Sequence, residues 1–532
     1  MKRNPLSIAL CLLCMLAFSG CAGESAGGGA ASPAQSESGA AQESAAAIDT
    51  SGLFSDRELD GSYDESAAIA IQLNGDSAVC DNNAVSIDGT RITLTGEGVY
   101  LLSGTLTDGQ IIVDAGENDK VQLVLSGVDI TSADSAAIYA LEADKVFLTL
   151  ADGTENTLSN GGEYIAIDEN NIDAVVFAKT DLTLNAAAGH GVVSKDDLVI
   201  TQGSYTVTAA SHGLSGKDSV SIAGGSFAIT AGKDGIHAEN ADDLSLGSLY
   251  IESGSFTIAA QGDAVSASGA AEIDGGTFEL TTGEGSASVT MSSSDAAGPG
   301  RPGEQVFQEE TAAAEEDTVS QKGIKAEGGL TIGGGTFTLD TVDDGLHTGG
   351  ELLITDGAFT LSSGDDAIHA DGALTIQNGS FTIPYCYEGI EGLSITVEGG
   401  TFTITSHDDG LNAAGGADSS GFGGRSPDQF SADGSDSFIT INGGSFTIVS
   451  TGDCVDSNGD LTINGGTLDL TCNGSGNTAL DADGTYANNG GDVTTNDGSE
   501  NNPGQMGGGK GGFPAGGERP DRQPAAPPET DG

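Results

Sequence analysis

The chain has 532 residues, with 84 Gly and no Trp, and its 17 Lys+Arg against 79 Asp+Glu give a formal charge of −62. Phosphate binding needs clustered Lys and Arg, so this balance argues against nucleic acid as a partner and favours cations or neutral polymers. With 37% hydrophobic residues the chain can still build a core, as several domains or as one long repetitive one, which excludes disorder over most of its length.

Met1, Lys2 and Arg3 precede an apolar run over 6–18, the charged start and short greasy middle of a secretory signal spanning 1–20. The run is short for a membrane span, and no later segment is apolar enough to form one. It ends in Phe18-Ser19-Gly20-Cys21, which resembles a bacterial lipobox, with Phe18 in place of the usual Leu. Cys21 is thus the expected lipid anchor, and the expected location is extracytoplasmic, tethered to the bacterial cell membrane or surface through that lipid alone. The stretch 21–65 is rich in Ala, Gly, Ser and Glu and reads as a flexible linker. The Gly- and Pro-rich stretch 485–532 reads as a disordered tail, and similar compositions near 283–320 and 414–435 read as loops inserted into a regular body over 66–484.

The body repeats. Phe337, Phe359 and Phe381 recur at one fixed interval, Phe256 and Phe278 share it, and Phe402 follows Phe381 one position sooner. Each Phe lies in a phrase such as LTIGGGTFTL (330–339) or LTIQNGSFTI (374–383), where apolar and polar residues alternate on both sides of a Gly-rich turn. Alternation at period two means strand. A third short strand follows at Gly345-Leu346-His347, Ala367-Ile368-His369, Gly389-Ile390-Glu391 and Gly410-Leu411-Asn412. Three strands that return to phase after about 22 residues stack about 4.8 Å apart, which makes the expected fold all-β, a right-handed parallel β-helix. Ladders of Leu, Ile and Phe should fill its bore. A β-sandwich would need longer connections, and a nonapeptide calcium β-roll would need another period. The interval from Leu184 to Ile200 falls well short of the repeat, so a truncated or bulged coil is expected there.

Chemistry gathers at the corner before the third strand. Asp234, Asp263, Asp343, Asp344, Asp365, Asp366, Glu388, Asp408, Asp409 and Asp453 all fall there. Stacking turns that period into a column of carboxylates, which repel unless neutralised. A single Asp before Gly also serves a tight turn, but a doublet carries more carboxylate than a turn needs. Calcium, which takes six to eight oxygens in flexible geometry, is therefore the expected cofactor, with Asp343, Asp344, Asp365, Asp366, Glu388, Asp408 and Asp409 as candidate ligands. All six His lie at the same corner, and no Cys-x-x-Cys or His-x-x-x-His spacing points to a soft-metal site. By alternation Lys325, His347, His369 and Glu391 point away from the core, as do His237 and Asn412, so they should form the polar wall of a groove; a solvated face without ligand is the plainer alternative. Tyr385 and Tyr387 flank Cys386 beside this wall and are candidates for a sugar-stacking face or for loop packing. Cys80, Cys386, Cys454 and Cys472 neither demand nor forbid a disulfide.

These phrases, with VQLVLSGVDI (121–130), GVVSKDDL (191–198), GLSGKDS (213–219) and GKDGI (232–236), resemble a family of bacterial extracellular carbohydrate-binding β-helix proteins related in fold to polysaccharide lyases. The resemblance spans about 74–483 and implies a calcium-bearing right-handed β-helix that binds plant-wall polysaccharide, cellulose-like or acidic, without established catalysis. Two alternatives stay open. A pectate-type lyase would use a Lys base with calcium on the uronate carboxylate, and Lys325, Lys195 and Lys217 are available. A Lys among carboxylates has its pKa raised, however, which opposes that role, and no catalytic residue stands out. A calcium-stabilised adhesin or spacer would hold the ions for rigidity alone.

Overall fold

The computed structural model describes residues 48–161, 173–243, 245–291, 319–414 and 437–503, with backbone alone over 173–180. The expected signal, Cys21 as the expected anchor, and most of both insertions lie outside the described residues.

The chain is all-β, and among the described residues pairing between strands is parallel apart from two antiparallel pairs near the start, Gln72–Leu73 with Ala78–Val79 and Val85–Asp88 with Arg91–Leu94. Each strand pairs with its counterpart one repeat later. Thr336–Thr341 lies against Ala358–Ser363, which lies against Ser380–Tyr385. Ile324–Ala326 pairs with Leu346–Thr348, which in turn meets Ile368–Ala370. Gly329–Ile332 pairs with Leu352–Ile354. Three columns of parallel strands therefore run along the body, the arrangement that stacked three-strand coils produce.

The core is what the alternation predicts. Phe227, Phe256, Phe278, Phe337, Phe359, Phe381, Phe402 and Phe446 form one ladder of parallel rings with centroids 4.5–4.8 Å apart. Ile324, Leu346, Ile368, Ile390, Leu411 and Val455 form a second ladder without exposed surface. Thr336, Thr338 and Asp340, the alternate positions of a Phe strand, face water.

Three differences from the sequence reading have physical causes. Leu184 pairs with Val207 and Val176 with Ile200, a full repeat on in each case, so the coil expected to be truncated is of ordinary length. Leu184 and Ile200 belong to different strand columns, and comparing them made a normal coil look short; a register shift does occur nearby, between Val176 and Asp181. Strands Tyr486–Asn488 and Asp492–Thr495 pair with 461–463 and 467–470, so the sheet structure runs past the expected boundary at 484. At the other end a one-turn helix, Asp56–Leu59, precedes residue 66. Its Ser55 cap and Glu58 form a reciprocal capping box, and Glu58 also takes the Lys145 ammonium at 2.9 Å. Phe54 beside it covers the apolar pair Phe147 and Val199 on the sheet's outer face. The insertions agree with the expectation: Phe278 pairs directly with Phe337 and Phe402 with Phe446, so they are excursions that leave the strand register intact.

Candidate functional site

The corner before the third strand is fixed by hydroxyls that the sequence reading passed over. Thr341, Ser363, Ser406 and Ser450 each donate to the carbonyl two positions on, at 2.7–3.0 Å. The next coil's carbonyl then receives the following amide: Gly323 donates to Asp344 O, Gly345 to Asp366 O, Ala367 to Glu388 O and Gly389 to Asp409 O, at 2.9–3.0 Å. Glycine is required where these corners stack tightly, because a Cβ on Gly345 would lie 2.5 Å from the Ala367 carbonyl.

This ladder sets a column His190, His212, Asp234, Asp263, Lys322, Asp344, Asp366, Glu388, Asp409, Asp453, with a single member per coil. A second column stands three positions later in the chain: Ser215, His237, Ser266, Lys325, His347, His369, Glu391, Asn412 and Asp456. One oxygen of most of these carboxylates serves the backbone. Asp234, Asp263, Asp344, Asp366 and Asp409 accept the amide of the residue one coil along, at 2.6–3.2 Å. The other oxygen is left to the second column: His347 Nδ1 is 2.9 Å from Asp344 and His369 Nδ1 is 3.1 Å from Asp366.

The expected polar wall therefore exists as a stack, but it is packed rather than open. His347, His369 and Glu391 are buried, and Lys325 is partly buried with its ammonium 2.8 Å from Glu327. His369 sits among carboxylates, 3.1 Å from each of Asp366, Glu391 and Asp371. Tyr387 is buried and gives its hydroxyl to Asp408, which makes it a post within the corner and not a sugar platform. Tyr385 is half-buried, edge-on to His407 with its hydroxyl near Val289 O, and it is the one of the two with ring surface still accessible.

The expected metal ligands do not form one site. Asp343, Asp344 and Asp365 converge, with one carboxylate oxygen of each within 4.8 Å of the others. Asp366 instead joins His369 and Glu391, while Glu388 accepts from Asn412 Nδ2 at 2.9 Å. Asp408 and Asp409 lead toward a set the sequence reading did not assemble, Asp453, Asp456 and Asp481. Lys322 was missed as well. Its buried ammonium lies 2.6 Å from Asp344 and 3.1 Å from Asp343. The signal was present: Gln321-Lys322-Gly323 stands one repeat before Asp343-Asp344-Gly345, so Lys322 occupies a carboxylate's place in the column.

Burial governs the electrostatics. It pushes Asp343 up to about 7, helped by the Asp344 charge. Asp366, Glu388 and Asp409 rise for the same reason, with Glu391 the next cause for the first two and Asp456 for the third. Asp456 is pushed up to about 7 by burial and then by Asp481, Asp483 and Asp408. At Asp344 burial is outweighed by Lys322 and His347, which hold its carboxyl below the usual range. At His369 burial opposes charge, but Asp366, Asp371 and Glu391 raise the imidazole well above its ordinary value.

Residues fit calcium where all donors are oxygen. Asp343 Oδ2 is buried without a hydrogen-bond partner beside Asp344 and Asp365, and Asp453, Asp456 and Asp481 offer a second all-oxygen set. Asp366, His369 and Glu391 do not fit it, since one of the three donors is an imidazole nitrogen and that nitrogen already stands 3.1 Å from both carboxylates.

A long parallel β structure carrying one acidic corner through its length defines the class. The chain belongs to the carbohydrate-binding domain-containing protein family, whose model matches residues 88–367, 348–424 and 365–502. A carbohydrate-binding domain-containing protein of Acetivibrio thermocellus is 37% identical over 150 residues, 26% of this chain and 52% of the relative, so the match spans about half of that protein's length. Among solved structures, the gadolinium derivative of the polysaccharide lyase-like protein from C. thermocellum is 34% identical, with a TM-score of 0.38 over 41% of this chain and 91% of that one.

Proposed function

We propose that this protein is a lipid-anchored right-handed parallel β-helix that binds cellulose-like or acidic plant-wall polysaccharide at the bacterial surface, with calcium on its acidic corner. Membership of a carbohydrate-binding family supports the sugar, and one observation carries the calcium: the buried, unpartnered Asp343 Oδ2 beside two further carboxylates. Asp343, Asp344 and Asp365 would hold one ion, and Asp453, Asp456 and Asp481 another. Bound calcium supplies positive charge that lets an anionic scaffold accept an anionic sugar. Around it the chain's own residues set the surface: Tyr385 offers an aromatic edge, and Lys325 with Glu327 offers polar contacts at the rim.

The lyase reading is weakened at its base. Burial alone would lower the Lys325 pKa, but its hydrogen bond to Glu327 and the nearby Asp263 charge raise it instead, and Lys322 is held between two aspartates. The test is retention of the purified protein on cellulose and on polygalacturonate, with calcium or with chelator, while ultraviolet absorbance is followed for unsaturated products. Calcium-dependent retention without new absorbance is the expected result. Growing absorbance that a Lys325→Ala variant loses would replace this reading with a lyase, and no retention on either polymer would leave a calcium-stabilised adhesin or spacer.

A further inference from the structure

The upstream end of the same corner differs in chemistry from the rest. There the column begins with imidazoles: the rings of His190 and His212 stack at 5.1 Å, and His212 and His237 at 4.0 Å. Asp234 stands against them, its Oδ2 being 3.3 Å from His212 Nδ1 and 2.6 Å from His237 Nδ1. One nitrogen of each of these two histidines and a carboxylate oxygen lie within 4.8 Å of one another.

Two details turn proximity into a site. The Asp234 amide donates to His212 Nδ1 at 3.3 Å, so that nitrogen carries no proton and gives no hydrogen bond to the carboxylate oxygen 3.3 Å away. His237 Nδ1 is buried 2.6 Å from the same oxygen without an aligned hydrogen bond to it, while its Nε2 is 2.9 Å from Glu239 Oε2. His190 Nδ1 is a further nitrogen that is buried without a partner. Nitrogens that converge on a carboxylate without donating an aligned hydrogen bond to it are what the ligands of one ion look like.

We propose that His212, Asp234 and His237 form a site for a divalent transition-metal ion of the zinc class, distinct from the all-oxygen calcium sets and independent of sugar binding. Two imidazole nitrogens and a carboxylate suit zinc and are poor ligands for calcium. Such an ion would tie the coil carrying His212 to the next one, which carries Asp234 and His237. Linear motifs hide the site because a solenoid makes neighbours of residues one repeat apart, as His212 and Asp234 are, where a helix would bring together positions a single turn apart.

The experiment is calorimetric titration of zinc into the chelator-stripped, calcium-saturated protein, with cobalt(II) absorbance as a second readout of nitrogen ligation. About one equivalent of tight zinc that calcium does not displace is expected. His212→Gln and His237→Gln should each weaken it by at least the roughly 10–100-fold that outer-shell changes alone cost, while His369→Gln, at the other imidazole cluster, leaves it unchanged. Circular dichroism checks that the variants fold, and the cobalt spectrum of the unaltered protein stands if one does not. Absence of a zinc equivalent, absence of a cobalt band from nitrogen ligation, or undiminished binding in both folded His variants would overturn the proposal.

Discussion

Lys322 shows how a single side chain decides the balance at the acidic corner. It is the one lysine buried against the Asp343 and Asp344 carboxylates among the described ion pairs. Removing one partner of a buried pair leaves the other charge uncompensated, so Lys322→Ala should cost about 3–5 kcal/mol in chelator, read by urea unfolding. Calcium should restore part of that loss, because an ion at Asp343, Asp344 and Asp365 replaces the missing charge; a loss that calcium does not touch would count against a site there. The raised carboxylates give a second prediction. A group that binds its proton more tightly folded than unfolded loses stability as pH rises from its ordinary pKa to its folded one. For Asp343 and Asp456 that window runs from 3.8 to about 7. The melting temperature in chelator should therefore fall between about pH 4 and pH 7, and calcium should flatten the decline.

The strand ladders are the element that the sequence made most legible. The return of Phe once per repeat, with Thr on alternate positions, leaves little choice but to stack ring on ring, and the rings do stack. Phe359→Ala should cost about 3–5 kcal/mol by urea unfolding, since the rings of Phe337 and Phe381 on either side prevent collapse of the cavity. Gly357→Ala should also destabilise, measurably as a lowered melting temperature: φ there is +143° and the new Cβ would meet the Phe359 ring at 2.8 Å. Less legible was what lies over an outward-facing residue. Alternation correctly placed His347, His369 and Glu391 in one file, yet it says nothing of neighbours from the preceding corner, and those carboxylates bury the file. Lys322 escaped for a related reason, because a search by residue type for acids skips a position where a base holds the acid's place. The comparison of Leu184 with Ile200 failed because similar short apolar phrases occur on different strand columns.

At the scale of the molecule, a formal charge of −62 must be reconciled with burial of many carboxylates. The structure shows two internal means, backbone amides donated to one oxygen of several of the acids and basic side chains at Lys322 and His369 set against them, and burial adds a third by raising the pKa of acids such as Asp366. Metal ions would be the fourth, and on the proposed function they would connect stability to the binding of an anionic polymer. The most direct measurement is calorimetric titration of oligogalacturonate into the purified protein in calcium and in chelator, beside an Asp453→Asn/Asp456→Asn variant. The account predicts saturable binding in calcium, none in chelator and weakened binding in the variant. Equal affinity with and without calcium would contradict it.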